Sequence, residues 1–517
     1  MNHVDFSPPP ERKSTVNMRM GCAVAVIALL QGCLSVSRYD WGEGTVNFAP
    51  AQRLANANGQ YAHWQAIGRV EVEGGMTCSG TLIDTRGPGT LSHPAYVLTS
   101  GHCTHPEVGN NEIVVNEPAK GRVTFNYFFD TQPQNRSYAV NRIAWSTLRG
   151  QDISIIELAP SLEQLVRDGI EPLKLADEPL ATEENILITG APIDGFIQRM
   201  ACRQEHPASV IEGPWRWIGQ SSNRCLDVVS GLSGSPVLAR YTNEIVGVLG
   251  TTTRGSGRNR CKEGAPCEVV AGQVDKRIDT NYASTTQGLG ACFTKGQFDP
   301  RPGECPLGAA WSFPRASQDS DYIKVERDEH GQILPWQWVQ NFSVSAPFYR
   351  YRYTRTLDEC QSLAGYSQIQ TARPDSENEL SHELKEGAGL YFLCLIGQQR
   401  PTDAPKQSEG KTASVYWRWL LEAPAPLAPT YKVEWVNGDD YDIRVFPALP
   451  DLDPFRFQYK SGQPEHIDCH DERGFQRVSG STGVFHVSLA NGRQSICLKG
   501  ADLVGNPGPV INFLIPQ

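Results

Sequence analysis

The sequence has no excess of positive charge, few long helical patterns and almost no long apolar runs. Its 517 residues include 47 Lys and Arg against 57 Asp and Glu, which gives a formal net charge of −10. This acidic balance argues against nucleic acid, or an anionic membrane surface, as the main partner. Short apolar or alternating runs lie between turn residues, which include 48 Gly and 36 Pro. Such a pattern indicates an all-β protein, and the length predicts several domains.

The one notable apolar run, Gly21–Leu30, follows Arg19 and is too short to span a bilayer. It fits the apolar part of a signal peptide, with translation starting at residue 1 or at Met18 or Met20. The run ends in Leu-Gln-Gly-Cys, which resembles a bacterial lipobox with Cys33 as the lipidated residue. Plain signal cleavage and a retained anchor are the alternatives. All three predict an exported chain, either secreted or held in the cell envelope as an outer-membrane lipoprotein.

Export makes disulfides a reasonable expectation for the 14 cysteines. If Cys22 leaves with the signal and Cys33 carries lipid, an even number remains. These cysteines form neighbouring pairs, although sequence alone does not prove connectivity, and Cys225–Cys261 is an alternative. The predicted pairs are Cys78–Cys103, Cys202–Cys225, Cys261–Cys267, Cys292–Cys305, Cys360–Cys394 and Cys469–Cys497.

The stretch Val229–Leu238 reads VSGLSGSPVL and places Ser233 between two nearby glycines. Glycines allow a sharp turn in which two backbone N–H groups point at one spot and hold an oxyanion. The segment resembles the nucleophile loop of chymotrypsin-like serine proteases, and the donors would be the amides of Gly231 and Ser233. Taken alone, an ordinary tight turn is the competing interpretation.

A second segment, Tyr96–Cys103, is an apolar strand that runs into Thr-Ser-Gly-His-Cys. In the family that it resembles, such a strand delivers the catalytic base, which would be His102. The resemblance also implies that Cys103 bonds to a cysteine in the preceding CxGxLI-type strand, where Cys78 lies in TCSGTLI.

The third segment, QDISIIEL, begins at Gln151 and resembles the run in which a buried acid opens a barrel strand. The chain order His102, Asp152, Ser233 suits one barrel that carries His and Asp and a second that carries Ser. The resemblance implies that His102 accepts the proton of Ser233 and that Asp152 orients the imidazole. It also disfavours a serine esterase of the α/β-hydrolase type, whose order is Ser, Asp, His.

Two departures from the trypsin pattern lie near the nucleophile. Leu232 stands where zymogen-type relatives have Asp, so we expect no activation by a newly cut N-terminal amine. Val229 stands where the trypsin pattern has a cysteine, four residues before Ser233. The walls of the specificity pocket must therefore be held together differently. The Ser-Gly-Ser-Pro ending resembles glutamyl endopeptidases. Asp227 occupies the position of the acid that binds Lys or Arg in trypsin, although the glutamyl-endopeptidase-like pattern carries Asp there without basic specificity. Val248, Leu249 and Gly250 are expected to pair with substrate backbone.

The protease resemblance covers roughly 64–285, and the remainder contains a repeat. Tyr322, Cys360 and Cys394 match Tyr431, Cys469 and Cys497 at offsets of 103–109 residues, the size of one β-sandwich. The last segment resembles bacterial immunoglobulin-like domains. The predicted fold is therefore all-β, a chymotrypsin-like double β-barrel followed by two β-sandwich (immunoglobulin-like) domains. The predicted boundaries are signal peptide 1–33, tether 34–62, protease 63–285, connector 286–318, and sandwich repeats 319–427 and 428–517.

The predicted function is an exported serine endopeptidase, with a catalytically silent, protease-like binding or adhesion protein as the alternative. Its partners would be protein or peptide substrates and a possible surface ligand for the sandwiches. We expect no binding to nucleic acid, and we expect membrane attachment only through a lipid anchor. No cofactor or metal is predicted. His466, Cys469 and His470 could bind a metal, but a disulfide with two surface histidines explains them better. Asp439, Asp440 and Asp442 could bind Ca²⁺, but a solvated turn explains them better.

Overall fold

The structure is a computed structural model that describes most of the chain from Tyr39 onward. The described ranges are 39–86, 92–109, 112–257, 261–301, 304–316, 321–373, 377–422, 426–446, 456–478, 483–490, 492–502 and 504–515. The predicted signal peptide and the lipidation site Cys33 lie outside these ranges. Within them, no helix combines the length and apolar character needed to cross a membrane.

The N-terminal half is built almost entirely from β-strands. In chain order these are β1 (Gln52–Arg53), β2 (Ile67–Val72), β3 (Cys78–Leu82), β4 (Pro94–Thr99), β5 (Ile113–Pro118), β6 (Gly121–Phe125), β7 (Arg136–Thr147), β8 (Arg149–Gly150), β9 (Ile153–Ser161), β10 (Asn185–Gly190), β11 (Gln198–Glu212), β12 (Trp215–Asn223), β13 (Pro236–Ala239), β14 (Ile245–Thr252), β15 (Cys267–Val270), β16 (Gln273–Asp275) and β17 (Asn281–Thr285). The helical elements are short: α1 (Leu162–Arg167) and 3₁₀ turns at Ala62–Trp64, Gly101–Cys103, Gln132–Gln134 and Leu289–Cys292.

These strands close into two antiparallel barrels. The first sheet runs β5-β7-β6-β2-β3-β4-β9, and pairing of β7 with β9 closes it. The second contains β11-β10-β13-β14-β17-β12, and pairing of β11 with β12 closes it. Inward-facing apolar side chains fill the first barrel, as Val70, Leu98 and Ile155 are each at most 1% exposed. The predicted double β-barrel is confirmed.

The segment preceding the barrels is packed rather than free. The Asp40 carboxylate accepts two hydrogen bonds from the Arg240 guanidinium, at 2.7 and 2.8 Å. Strand β1 pairs with β11, where Gln52 lies opposite Arg199. The prediction of a tether over 34–62 is therefore wrong for residues 40–62. The stretch lacks periodicity, but its polar side chains meet two arginines of the second barrel.

The connector then crosses the outside of the first barrel. Cys292–Cys305 closes it, and a short hairpin joins β18 (Phe293–Thr294) to β19 (Gln297–Phe298). The Phe293 ring packs edge-on against Tyr96 of β4 at 5.3 Å. The connector therefore contributes to the core of the first barrel.

The first C-terminal domain, which we name sandwich 1, contains two sheets. Its elements are β20 (Tyr322–Lys324), β21 (Trp336–Phe342), β22 (Phe348–Thr354), a 3₁₀ turn (Leu357–Gln361), β23 (Gln370–Thr371), β24 (Asn378–Leu384), β25 (Gly389–Gln398), α2 (Gln407–Lys411) and β26 (Ser414–Leu421). One sheet has the order β20-β26-β25-β22-β23, and the other pairs β21 with β24. Aromatic side chains, including Trp338 and Phe342, fill the space between them.

The second C-terminal domain, sandwich 2, has its own pair of sheets. Its strands are β27 (Thr430–Asn437), β28 (Asp440–Phe446), β29 (Arg456–Gly462), β30 (Gln476–Arg477), β31 (Val484–Ser488), β32 (Gln494–Ala501) and β33 (Ile511–Ile515). The sheets have the orders β27-β28-β31 and β30-β29-β32-β33. In both sandwiches a central antiparallel pair carries the second cysteine of the disulfide, Cys394 in β25 and Cys497 in β32. Two β-sandwich domains follow the barrels, as predicted.

Six disulfides cross-link the described residues in the pairs predicted first from the sequence. The alternative Cys225–Cys261 pairing is not adopted, because Cys225 bonds to Cys202 and Cys261 to Cys267.

Candidate active site

The end of strand β4 positions His102. The strand is apolar and buried, and it leads through Ser100 into the 3₁₀ turn Gly101–Cys103. A side chain at Gly101 would lie 2.1 Å from the Thr147 carbonyl oxygen, so the turn needs glycine there. The Cys78–Cys103 disulfide fixes the other side of the histidine. The imidazole is thus held between two barrel strands.

Asp152 forms a two-point contact with His102. Its Oδ2 lies 2.8 Å from His102 Nδ1, and its Oδ1 accepts the backbone N–H of His102 at 3.0 Å. Asp152 itself is completely buried. Burial of His102 opposes its protonation, but attraction and hydrogen bonding to Asp152, together with Glu212 and Glu263, raise the pKa of the imidazole. The pair is therefore arranged to stabilise an imidazolium.

The second barrel holds Asp152 in place through contacts that the sequence motifs do not reveal. The Asp152 backbone N–H donates to Ser284 Oγ at 2.9 Å. Ser284 Oγ in turn donates to Gln220 Oε1 at 2.9 Å. Both partners lie on barrel strands distant in sequence, β17 and β12. The acid of the first barrel is thus oriented by the second.

The loop around Ser233 depends on glycine and on Ser79. Gly231 and Gly234 have φ of 91° and 81°, a region that L side chains rarely adopt. A side chain on Gly231 would lie 2.2 Å from the Ile193 amide nitrogen. Ser79 donates its hydroxyl to the Gly231 carbonyl at 2.9 Å and its amide to the Ser233 carbonyl at 2.8 Å. Ser79 directly follows Cys78 and is the variable position after the cysteine in the segment TCSGTLI, so the motif gave it no role.

Ser233 presents both its hydroxyl and its backbone amide near the cleft. The hydroxyl donates to the Gly250 carbonyl oxygen at 3.3 Å. No hydrogen bond joins it to His102 among the residues that the structure describes. In the same part of the chain, no protein acceptor meets the amides of Gly231 or Ser233. These two donors are therefore available for an oxyanion.

A cleft of about 450 Å³ brings His102 and Ser233 together. Residues 228–230 before the nucleophile and 249–252 of β14 form part of its wall. Of the three residues expected to pair with substrate, Val248 and Leu249 are each 1% exposed. Both backbone groups of Leu249 are hydrogen-bonded to the loop around Ser233. Its N–H donates to the Ser235 carbonyl oxygen at 2.9 Å, and its carbonyl oxygen accepts the Gly234 N–H at 2.7 Å. The edge left for a substrate therefore begins at Gly250.

Asp227 does not line this cleft. It is exposed, has a φ of 59°, and its Oδ2 accepts the Ala51 backbone N–H at 2.7 Å. The acid ties the N-terminal segment to the second barrel, which places it away from an incoming side chain. The trypsin-like assignment of Asp227 as the base of a Lys/Arg pocket is contradicted by this contact. Leu232, in contrast, is fully buried in the second barrel's core, as expected for a residue without an activating partner.

Among the described residues, one group of potential metal ligands comes together at this site. Ligand atoms of Cys78, His102 and Cys103 lie within 4.8 Å of one another. Both sulfurs are joined in a disulfide, so neither is a thiolate able to bind metal.

A family model described as the trypsin-like peptidase domain matches residues 78–248. No curated protein matches the chain. The solved structures with similarity include the active form of the Rv3671c protease from M. tuberculosis, at 14% identity and a TM-score of 0.29, covering 50% of this chain and 95% of that chain. The apo MamO protease domain from Magnetospirillum magneticum shares 14% identity at a TM-score of 0.29, covering 44% of this chain and 95% of that chain. The structure of Deg5 shares 16% sequence identity at a TM-score of 0.26, and the match covers 38% of this chain and 84% of that chain.

Proposed function

We propose that this chain, which contains a trypsin-like peptidase domain, is an exported serine endopeptidase with His102, Asp152 and Ser233 as its catalytic residues. The observation that carries the proposal is the His102–Asp152 contact of 2.8 Å beside a cleft that also contains Ser233. Neutral His102 would accept the Ser233 proton through Nε2 as Oγ attacks a peptide carbonyl, and then return it to the leaving amine. The Gly231 and Ser233 amides would hold the oxyanion.

This mechanism requires one local change. The Ser233 hydroxyl must leave the Gly250 carbonyl and turn toward His102. Hydrogen bonds of this kind are often incomplete without substrate and tighten in the reacting complex. The unused amides of the nucleophile loop need no such change.

Hydrolysis of a peptide library by the full-length protein tests this function. Ser233→Ala and His102→Ala should each lower kcat/KM by about 10⁴-fold or more while the fold is retained. A fluorophosphonate should label the native protein and leave Ser233→Ala unlabelled. Hydrolysis of simple esters without any peptide cleavage would instead assign an esterase.

A second candidate is a catalytically silent, protease-like binding protein of the cell surface. The Ser233–Gly250 hydrogen bond favours it, because the nucleophile is engaged away from its base. A folded protein that neither reacts with a fluorophosphonate nor cleaves any peptide would support this candidate and reject the endopeptidase.

Export and lipidation belong to the same proposal, with protein or peptide substrates outside the cytoplasm. The supporting observations are the apolar run and lipobox-like ending at Cys33 and the six disulfides of the described residues. Palmitate labelling of cells should be lost on Cys33→Ser. Recovery of protein from the medium with an N-terminus beyond residue 33 would contradict lipid anchoring.

A further inference from the structure

Glu212 is a buried acid in the wall of the active-site cleft, at the end of β11. It is only 4% exposed. Its Oε1 accepts the Gly264 backbone N–H at 2.6 Å, whereas its Oε2 is buried and has no hydrogen-bond partner. A buried carboxylate oxygen without a partner is costly, so the site is incomplete as it stands.

Two tryptophans stand beside this acid in the same cleft. Trp215 and Trp217 stack at 5.9 Å with nearly parallel rings. Their indole N–H groups donate to the carbonyl oxygens of Val108, at 3.2 Å, and Leu148, at 3.1 Å. Because the indole N–H of each ring is bound elsewhere, the small part that faces the cleft is apolar and π surface, with Trp215 7% and Trp217 2% exposed. Such surface packs well against the methylene stem or guanidinium of a long basic side chain.

The rim of this region is acidic as well. Glu263 is exposed, lines the cleft and lies in the loop closed by Cys261–Cys267. Both Glu212 and Glu263 contribute to the raised pKa of His102, so they lie on the histidine side of the cleft. The side chain of Thr251, next to Gly250 on the substrate-facing strand, hydrogen-bonds to the Glu212 carboxyl group and partly offsets the effect of burial on its pKa. Arg254 also lies in the cleft wall. Its Nη1 is 4.0 Å from Asp279, and its Nε and Nη2 are buried without a hydrogen-bond partner among the described residues.

We propose that Glu212, Glu263, Trp215 and Trp217 form a subsite that binds a lysine or arginine side chain of the peptide substrate. This proposal rests on the proposed endopeptidase function and names a feature of its substrates. An ammonium or guanidinium group entering the subsite supplies the missing partner of Glu212 Oε2, after a small movement of the side chain. Glu263 adds attraction at the rim, and the tryptophans hold the stem. The basic-side-chain determinant is thus Glu212 rather than Asp227.

Burial raises the pKa of Glu212 to about 7. In the free protein the subsite is therefore partly neutral near pH 7, and a bound cation favours the ionised form. The preference for basic peptides is expected to increase from about pH 6 to about pH 8.

The test compares peptides that contain arginine, lysine, citrulline or norleucine at one position, scanned along the substrate. With the full-length protein, Glu212→Gln should lower kcat/KM for the basic peptides by about 10-fold or more and change the neutral ones little. Glu263→Gln should cause a smaller loss in the same direction. Glu205→Gln removes a charge from the same strand outside the cleft wall and should leave the preference unchanged.

Binding provides a readout that does not need catalysis. On Ser233→Ala protein, the arginine peptide should bind about 10-fold or more tightly than its citrulline counterpart, and Glu212→Gln should abolish the difference. Equal binding of the two peptides to the parent protein would overturn the subsite. So would a preference for acidic peptides, which would assign the cleft to Arg254.

The two proposals fail in different ways. If a fluorophosphonate does not label the native protein, the endopeptidase is rejected. The peptide-binding measurements would still test the proposed subsite. Labelled, active protein without a basic preference would reject the subsite alone. If Glu212→Gln does not fold, the exposed variant Glu263→Gln decides, and an unchanged preference in it would overturn the subsite.

Discussion

Sandwich 1 and sandwich 2 resemble each other in strand pairing and disulfide position, but they differ in what they touch. Sandwich 1 shares an apolar core with the second barrel, in which Ile211, Ile218 and Val269 pack with Phe392 and Cys394. The core of sandwich 2 consists, among the described residues, only of side chains from its own strands. The comparison indicates that sandwich 1 packs as one unit with the protease-like barrels and that sandwich 2 has a separate core.

A second set of contacts lies at β8, just before the candidate catalytic residue Asp152. The buried Arg149 guanidinium donates to the carbonyl oxygens of Ala309 and Trp311 in the connector. Burial lowers the pKa of Arg149 to about 9. A side chain at Gly150 would lie 2.2 Å from the Lys411 carbonyl oxygen of sandwich 1. The segment leading to Asp152, the candidate catalytic acid, therefore contacts both the connector and sandwich 1.

Removing the disulfide of each sandwich should give the largest difference between the two domains. The bonds close segments with sequence separations of 34 and 28 residues, so each should stabilise its domain by about 4 kcal/mol. Replacing Cys360 and Cys394 by Ala should also lower hydrogen-exchange protection in β11 and β15 and slow fluorophosphonate labelling. Replacing Cys469 and Cys497 should affect sandwich 2 alone. Equal effects of both double variants on labelling would refute the distinction.

Gly150→Ala tests the contact at β8 directly. The clash with Lys411, at a φ of 72°, should cost at least about 3 kcal/mol of stability or displace Asp152. We expect kcat/KM to fall by about 10-fold or more, because small misplacements of catalytic groups are costly. The matched control is Gly438→Ala in sandwich 2, with a φ of 48° and open space around it. Its kinetics should equal those of the parent, and a loss similar to that of Gly150→Ala would refute the account.

Glu212 should give the second barrel a larger pH dependence of stability than any in sandwich 2. Its folded-state pKa of about 7 exceeds its ordinary value of 4.5, so the native state binds more protons between these values. Stability should therefore decline as pH rises through this range, by up to about 3 kcal/mol. Glu212→Gln should remove that decline, as measured by hydrogen exchange in the second barrel. A decline that persists in the variant would assign it to other groups.

The smallest expected effect lies in sandwich 2. Hydrogen bonding to Asp442, helped by Asp440, raises the pKa of His486 above its ordinary value of 6.5. The resulting stabilisation is complete below that value and is lost as pH rises through the folded-state pKa. Asp442→Asn should flatten this slight dependence in sandwich 2, measured by hydrogen exchange, without changing the second barrel. An altered second barrel would show that the two units are coupled.

The sequence motifs predicted the barrels, the candidate catalytic residues and the cysteine pairs because each has a local signature. The supports of the site have none. Ser79, Ser284 and Gln220 reach the catalytic loops across the barrels, and serine or glutamine in a strand is not a distinctive pattern. No sequence motif marks Glu212 either, because what distinguishes it is its burial in the cleft wall.

The errors have related causes. Residues 40–62 have no periodicity, so local reasoning predicted a tether, but long-range ion pairs and one short strand fix them. Asp227 stands at a position known from trypsin, yet the same segment supplies the Ala51 amide that binds its carboxylate. A position in a motif therefore did not determine which partner the side chain would find.

The most direct test of the account is to identify the residue that a fluorophosphonate modifies in the folded, full-length protein. Digestion and mass spectrometry should find the adduct on Ser233, and Asp152→Asn should slow its formation by about 10²-fold or more, because the imidazole loses its orienting partner. An adduct on another residue, or labelling undiminished in Ser233→Ala, would contradict the account.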